Sequence, residues 1–318
     1  MDFTLTDEQR MLVKTIRRFV YDELIPLEDD IEATGALDPA AARSIFEKSR
    51  DLGFYAMNIP EEFGGGGLSA LETMLVEEQF GHCKDILIRR AFGNVYEVLL
   101  EGDAAQRERW LLPTVSGERT CSIAITEPGA GSDAASITTR AERTATGWTL
   151  NGGKYFVSDG LYSDFFIVSA VTDAAARPRH ISLFLVDKSL PGVRVGQDQK
   201  MMGLAGSSHI ELFFDDVHLG PETLIGGEGN GLRLALTALG RVRLAQVGAR
   251  AVGKASRLLG YMADYAGQRE QFGSPIGSFQ MVQAMLADSA IEINRSRLLL
   301  HRAAAALDAG EDYRSWIS

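Results

Sequence analysis

Apolar positions along this chain change their period twice. Up to about residue 120 they recur every three to four residues. Leu12, Ile16 and Phe19 form one stripe behind a capping box at Thr6 and Gln9, which predicts a first helix. Residues 40–52 predict a second helix closed by Gly53, and Ser69 with Glu72 three residues on predicts the cap of a third. Two more helices are expected over 92–100 and 104–112. Between Cys121 and Leu219 the alternation is at period two, in the runs WTLNGGKYFVS, DFFIVSAV, HISLFLVD and IELFFDDVHL. NGG at residues 151–153 predicts a hairpin turn. The helical period returns over 229–268 and 279–309, separated by REQFGSPIGS. The chain thus reads as α+β: an N-terminal helical domain over 1–120, a middle antiparallel β domain over 121–227, and a C-terminal helical bundle over 228–318 that is incomplete.

Composition narrows the function classes. The 318 residues are 45% hydrophobic, enough for a large core, and the net charge of −11 argues against nucleic acid or an anionic membrane as partner. Residues 1–120 hold 13 basic and 23 acidic side chains, and residues 231–318 hold 11 basic and 7 acidic. A phosphate-bearing ligand would therefore find its counter-charges in the C-terminal part. Cys83 and Cys121 give neither metal spacing nor a disulfide framework, so no metal site is assigned and a reducing compartment is expected. The N-terminus has no signal-peptide pattern and no apolar run approaches ~18 residues, so the expectation is a cytoplasmic protein without a membrane span.

ITEPGAGSD, residues 125–133, has the look of a phosphate loop but carries Glu127 and Asp133 beside its glycines, which is poor electrostatics for a phosphate. Together with KYFVSDG, MMGLAGSSHIELFFDDVHL and REQFGSPIGSFQ, in that order, it resembles the acyl-CoA dehydrogenase family over nearly the whole chain. The resemblance implies FAD and oxidation of an acyl-CoA thioester to the 2,3-enoyl-CoA, a carboxylate taking the α proton while a β hydride goes to flavin N5. The loop would then line the flavin and the acyl-CoA, with glycines for close approach and positive φ. By that resemblance Ile123, Ile125, Thr126, Phe156, Val157 and Ser158 contact the flavin, Phe156 standing where the family often has tryptophan, and Ser132 lies between flavin and CoA. Arg269, Phe272 and Gln280 would reach the FAD of a neighbouring subunit, which implies a homo-oligomer, typically a dimer of dimers. An electron-transfer flavoprotein or similar acceptor is the implied partner.

The catalytic residue is not assigned. Some family members carry the glutamate on the first long C-terminal helix, beside an arginine that here is Arg241 or Arg243, yet residues 229–263 contain no Asp or Glu. Gly240 and Val242 cannot accept a proton, so the glutamate is expected beyond Ser318, the chain being read as truncated. Arg89 and Arg90 fall near the expected pocket floor, where one could receive an acidic acyl end. Two other readings stay open: a flavin oxidase or monooxygenase on the same scaffold, and a catalytically silent acyl-CoA-binding subunit.

Overall fold

The computed structural model describes residues 4–93, 95–176 and 178–317, the side chains of 239–243, 314 and 317 lying outside the described set. Its helices are, in chain order, α1 (Asp7–Phe19), α2 (Glu28–Thr34), α3 (Pro39–Asp51), α4 (Ala70–Phe80), α5 (Asp85–Ala91), α6 (Ala104–Gln106), α7 (Leu112–Val115), α8 (Gly231–Val242), α9 (Arg250–Gln268), α10 (Gln280–Asp308) and α11 (Arg314–Ile317). Two compact units form, one from Met1–Asp30, Leu68–Ile88 and Gly240–Ser318, the other from Ile31–Gly67 and Arg89–Leu239.

The first unit is helical and is organised around α4. The predicted capping boxes at Thr6 and Ser69 are both present. Every residue from Thr73 to Phe80 is buried, so α4 has no solvent face, and Glu77, Glu78 and Gln79 lie in the interior. Buried carboxylates need partners. Arg250 of α9 donates to both oxygens of Glu77 at 2.6 and 3.0 Å and to Asp85 at 2.9 Å. Arg297 of α10 donates to both oxygens of Glu78, each at 3.0 Å, and Arg17 of α1 to Gln79 at 2.8 Å. Asp308, at the end of α10, accepts the free amides of Ala70 and Leu71 at the start of α4. The positive excess of residues 231–318 is thus partly engaged inside the fold: Arg250, Arg257 and Arg297 all pair with acids of the N-terminal segments.

The second unit holds an eight-stranded sheet: β1 (Cys121–Ala124), β2 (Arg140–Thr144), β3 (Gly147–Ser158), β4 (Phe165–Asp173), β5 (His180–Asp187), β6 (Val193–Asp198), β7 (His209–Leu219) and β8 (Leu224–Ile225). The order is β6-β7-β3-β2-β4-β5-β8, with β1 also paired to β4. The pairings are antiparallel except that β1 and β2 both run parallel to β4, so the sheet is mixed where the alternation predicted an antiparallel one. Phe165, Ile167, Leu183 and Leu185 face a core shared with Trp110, Leu111, Leu234 and Ala235, while Phe166, Val168, Phe184 and Val186 face a second core with Ile210, Leu212 and Phe214. Covering both faces makes β4 and β5 almost continuously apolar. Trp148 of β3 meets Phe184 of β5 at a ring distance of 5.4 Å although two strands separate them in the order, so the sheet folds over that second core.

Two expectations are corrected. NGG at 151–153 is not a turn; it lies inside β3, and the β2–β3 hairpin turns at Ala145 and Thr146. Gly152 has φ +139°, and a Cβ there would lie 2.7 Å from the Thr139 Cα, so crowding and backbone conformation require the glycine. The helix expected over 92–100 is absent: α5 ends at Ala91, Gly93 takes φ +86°, and only a 3₁₀ segment, Glu97–Glu101, follows. Residues 104–112 do form a helix, which continues to Val115 through a π segment.

The buried ion pairs give the first prediction. Arg250→Met leaves Glu77 without its guanidinium and should lower unfolding free energy by about 3–5 kcal/mol. Urea unfolding followed by circular dichroism checks this, and a loss below about 1 kcal/mol would contradict it.

Candidate functional site

Alternation along β3 carries Trp148, Leu150 and Lys154 to the inward face, and Lys154 is fully buried. Its Nζ donates to the Ile125 carbonyl at 3.0 Å, Glu127 Oε1 at 2.7 Å and Ser169 Oγ at 3.1 Å, so all three ammonium hydrogens have acceptors. Glu127 in turn accepts from the Thr138 amide and hydroxyl at 2.6 and 2.7 Å and from the Thr139 amide at 3.0 Å. The acidic residue that looked out of place beside the glycines is therefore an internal anchor. Burial alone would raise the Glu127 pKa, but the bonds from Lys154 and Thr139, the Lys154 charge and the Thr138 amide outweigh it and hold the carboxyl at about 2. This pair was not identified from the sequence. Its available signal was a lysine on an inward-facing strand position, which demands a buried acid.

Beyond Lys154 the strand bulges. Lys154 pairs with Leu212 and Val157 with Ile210, so Tyr155 and Phe156 stand opposite Glu211 alone. The bulge, with Phe156 at φ +54°, turns that ring off the inward face and leaves it 51% exposed. A bulky residue in the left-handed region is strained, a condition that clusters at ligand sites. Val157 points its side chain into the core instead, and only its backbone remains for a ligand.

The loop after β1 runs beside this bulge. Tyr155 N donates to Thr126 O at 2.8 Å, and Glu127 and Ala130 exchange backbone hydrogen bonds in a tight turn. Among the described residues nothing accepts from the Thr126 amide or hydroxyl, and the Ser132 and Ser158 hydroxyls have no protein partner. The side chains of Ile123 and Ile125 pack against the helical-side core. The expected positive φ at Gly129 and Gly131 is not found, nor would a Cβ at either meet any protein atom within 4 Å. These two glycines border open space, so no protein neighbour explains them.

Arg89 and Arg90 sit in the last turn of α5 and converge on Asp159, at 3.4 and 3.9 Å, with the Arg90 guanidinium stacked 4.7 Å over Tyr162. They border a cavity of about 120 Å³ together with Tyr55, Cys121 and Asp159. The side chains of Arg241 and Arg243 lie outside the described residues. In the helical unit, Arg269 ends α9, Phe272 occupies the turn of a two-strand hairpin (Glu270–Gln271 and Ser274–Pro275), and Gln280 opens α10. All three are exposed; Phe272 is 97% accessible and at φ +54°. Among the described residues no three His, Cys, Asp or Glu side chains gather as a metal site, and no helix is long and apolar enough to cross a membrane.

Comparison with known proteins supplies the family. Models described as acyl-CoA dehydrogenase N-terminal, middle and C-terminal domains match residues 6–118, 122–217 and 229–317. Glutaryl-CoA dehydrogenase of Desulfococcus multivorans is 35% identical over 318 residues, covering 98% of this chain and 80% of its own length. The solved butyryl-CoA dehydrogenase of Megasphaera elsdenii superposes with TM-score 0.89 at 31% identity, over 100% of this chain and 84% of that one. A structure of PigA with FAD and proline gives TM-score 0.91 at 28% identity, over 100% and 83%.

The Glu127–Lys154 pair makes acid stability testable. Glu127 titrates near 2 in the fold against an ordinary 4.5, so its charge-linked stabilisation is complete above about 4.5 and drains away as pH falls toward 2. The urea midpoint should therefore drop between pH 5 and pH 3, and Glu127→Gln should make that drop shallower; equal slopes would contradict the assignment.

Proposed function

The chain belongs to the acyl-CoA dehydrogenase family, and on that premise we propose which of its residues serve the cofactor and the thioester. It is an FAD-dependent oxidoreductase that converts an acyl-CoA to the 2,3-enoyl-CoA. When bound, FAD supplies the hydride acceptor. The observation that carries the site assignment is the Thr126 amide and hydroxyl, which have no acceptor among the described residues and lie in the loop bonded to the bulge that exposes Phe156. A flavin needs that combination: donors at its polar edge and apolar surface against its ring. Thr126 and Ser158 then donate at the flavin edge, Phe156 walls the ring, and Ile123, Ile125 and Val157 contribute backbone. Ser132 takes the position between flavin and CoA. The open space over Gly129 and Gly131 fits the approach of a ligand.

Arg269, Phe272 and Gln280 form the contact to the cofactor of a second copy in a dimer of dimers. Their joint exposure, with that of Met281, Met285 and Ile291 on α10, supports a homo-oligomer. An electron-transfer flavoprotein or similar acceptor completes the turnover, and two buried cysteines that form no disulfide suit a reducing cytoplasm. The division into domains at 120/121 and 227/228 is retained as part of this reading. No side chain is assigned the proton-abstracting role, since residues 229–263 offer no carboxylate. The second reading, set against the enzyme by the test below, is a catalytically silent acyl-CoA-binding homologue.

Titration with FAD, followed by flavin fluorescence and by unfolding temperature, tests the proposal. Saturable binding that raises the midpoint is expected, with Thr126→Val about tenfold weaker, the loss of one good hydrogen bond. A protein that takes up no FAD refutes the site. Anaerobic addition of acyl-CoA then separates the two readings: bleaching marks the enzyme, an unchanged spectrum the silent binder.

Acyl selectivity is assigned to Arg89 and Arg90, and the substrate-binding role of Arg241 and Arg243 rests on the family resemblance alone. Both guanidinium groups lie against the Asp159 carboxylate beside the cavity, which puts cationic side chains at its wall. Arg90→Ala should therefore reduce any preference for a dicarboxyl acyl-CoA over a plain one, measured as the ratio of their Kd values. An unchanged ratio rules out the role.

A further inference from the structure

We propose that Lys154 is a positioning residue for the flavin, acting through the peptide plane between Ile125 and Thr126. The inference rests on the flavin reading above and deepens it. A trans peptide holds its C=O and N–H on opposite sides of one rigid plane. Lys154 Nζ binds the Ile125 oxygen at 3.0 Å from the buried side, so the Thr126 N–H of the same plane must point the other way. The ammonium cannot drift, because Ser169 of β4 and Glu127 take its other two hydrogens, and Glu127 is itself fixed by Thr138 and Thr139. Tyr155 N holds the next carbonyl, that of Thr126, and so completes the tie between loop and bulge. One buried cation therefore aims the donor of the loop, and the bulge that begins beside it turns Phe156 outward.

A merely structural lysine would influence stability but not the bound flavin. The test uses the full chain with FAD as probe. In Lys154→Met combined with Glu127→Gln, which leaves no lone buried charge, the Ile125 carbonyl is released. FAD affinity should fall about tenfold, the loss of one well-aimed hydrogen bond, and the long-wavelength absorption band of the bound flavin should shift. Ser169→Ala, a milder change that loosens the ammonium without removing it, should move both readouts the same way by less. Wild-type affinity and an unshifted band in the double variant would overturn the role. Should that variant not fold, unchanged affinity and spectrum in Ser169→Ala overturn it. If the wild type and every variant alike take up no FAD, the flavin reading itself fails, and this inference with it.

Discussion

A fully buried ammonium tolerates no missing partner, and in this protein that constraint sits at Lys154. Taking such a charge out of water costs several kcal/mol, offset only when every hydrogen is donated and a counter-charge is close. Lys154 meets both conditions with Ile125, Glu127 and Ser169. Since those acceptors belong to the loop after β1, to its turn and to β4, the requirement of one side chain fixes the mutual geometry of three chain segments. The strand that carries Lys154 must bulge immediately afterwards if Phe156, two positions on and inward by alternation, is to leave the interior.

The helical unit solves a similar problem with more members. Its α4 is buried from Thr73 to Phe80, so acids at Glu77 and Glu78 face neighbouring helices rather than water. Arg250 and Arg297 answer them from α9 and α10, each in a two-oxygen contact suited to a planar guanidinium. Charge that looked available for a phosphate ligand is in part internal structure. Arg269, by contrast, is exposed at the end of α9.

The helical caps at Thr6 and Ser69, the three-part plan and the motif order were legible because each depends on near neighbours in the chain or on the period of apolar residues. The assignment of Phe156, Thr126 and Ser158 to a flavin rests on resemblance, since a lone aromatic residue or hydroxyl carries no signature of its own. Three readings failed for one reason. The composition of NGG suits a turn, the glycines at 129 and 131 suit positive φ, and residues 92–100 suit a helix. In each case the local composition was compatible with the reading, and contacts or backbone conformation that composition does not record were different. Gly152 is glycine because Thr139 crowds it from another part of the sheet.

By itself the sequence determined the plan of helices, then strands, then helices, because periodicity and short-range chemistry act along the chain. The order of its loop and strand motifs pointed to a flavin oxidoreductase only through resemblance to a known family. Only tertiary structure decided that Glu127 belongs to Lys154, that Arg89 and Arg90 converge on Asp159, and that Phe156 faces outward. Pairing between residues 27 and 70 positions apart leaves no periodic trace, because what selects the partners is burial, and burial exists only once the chain has folded.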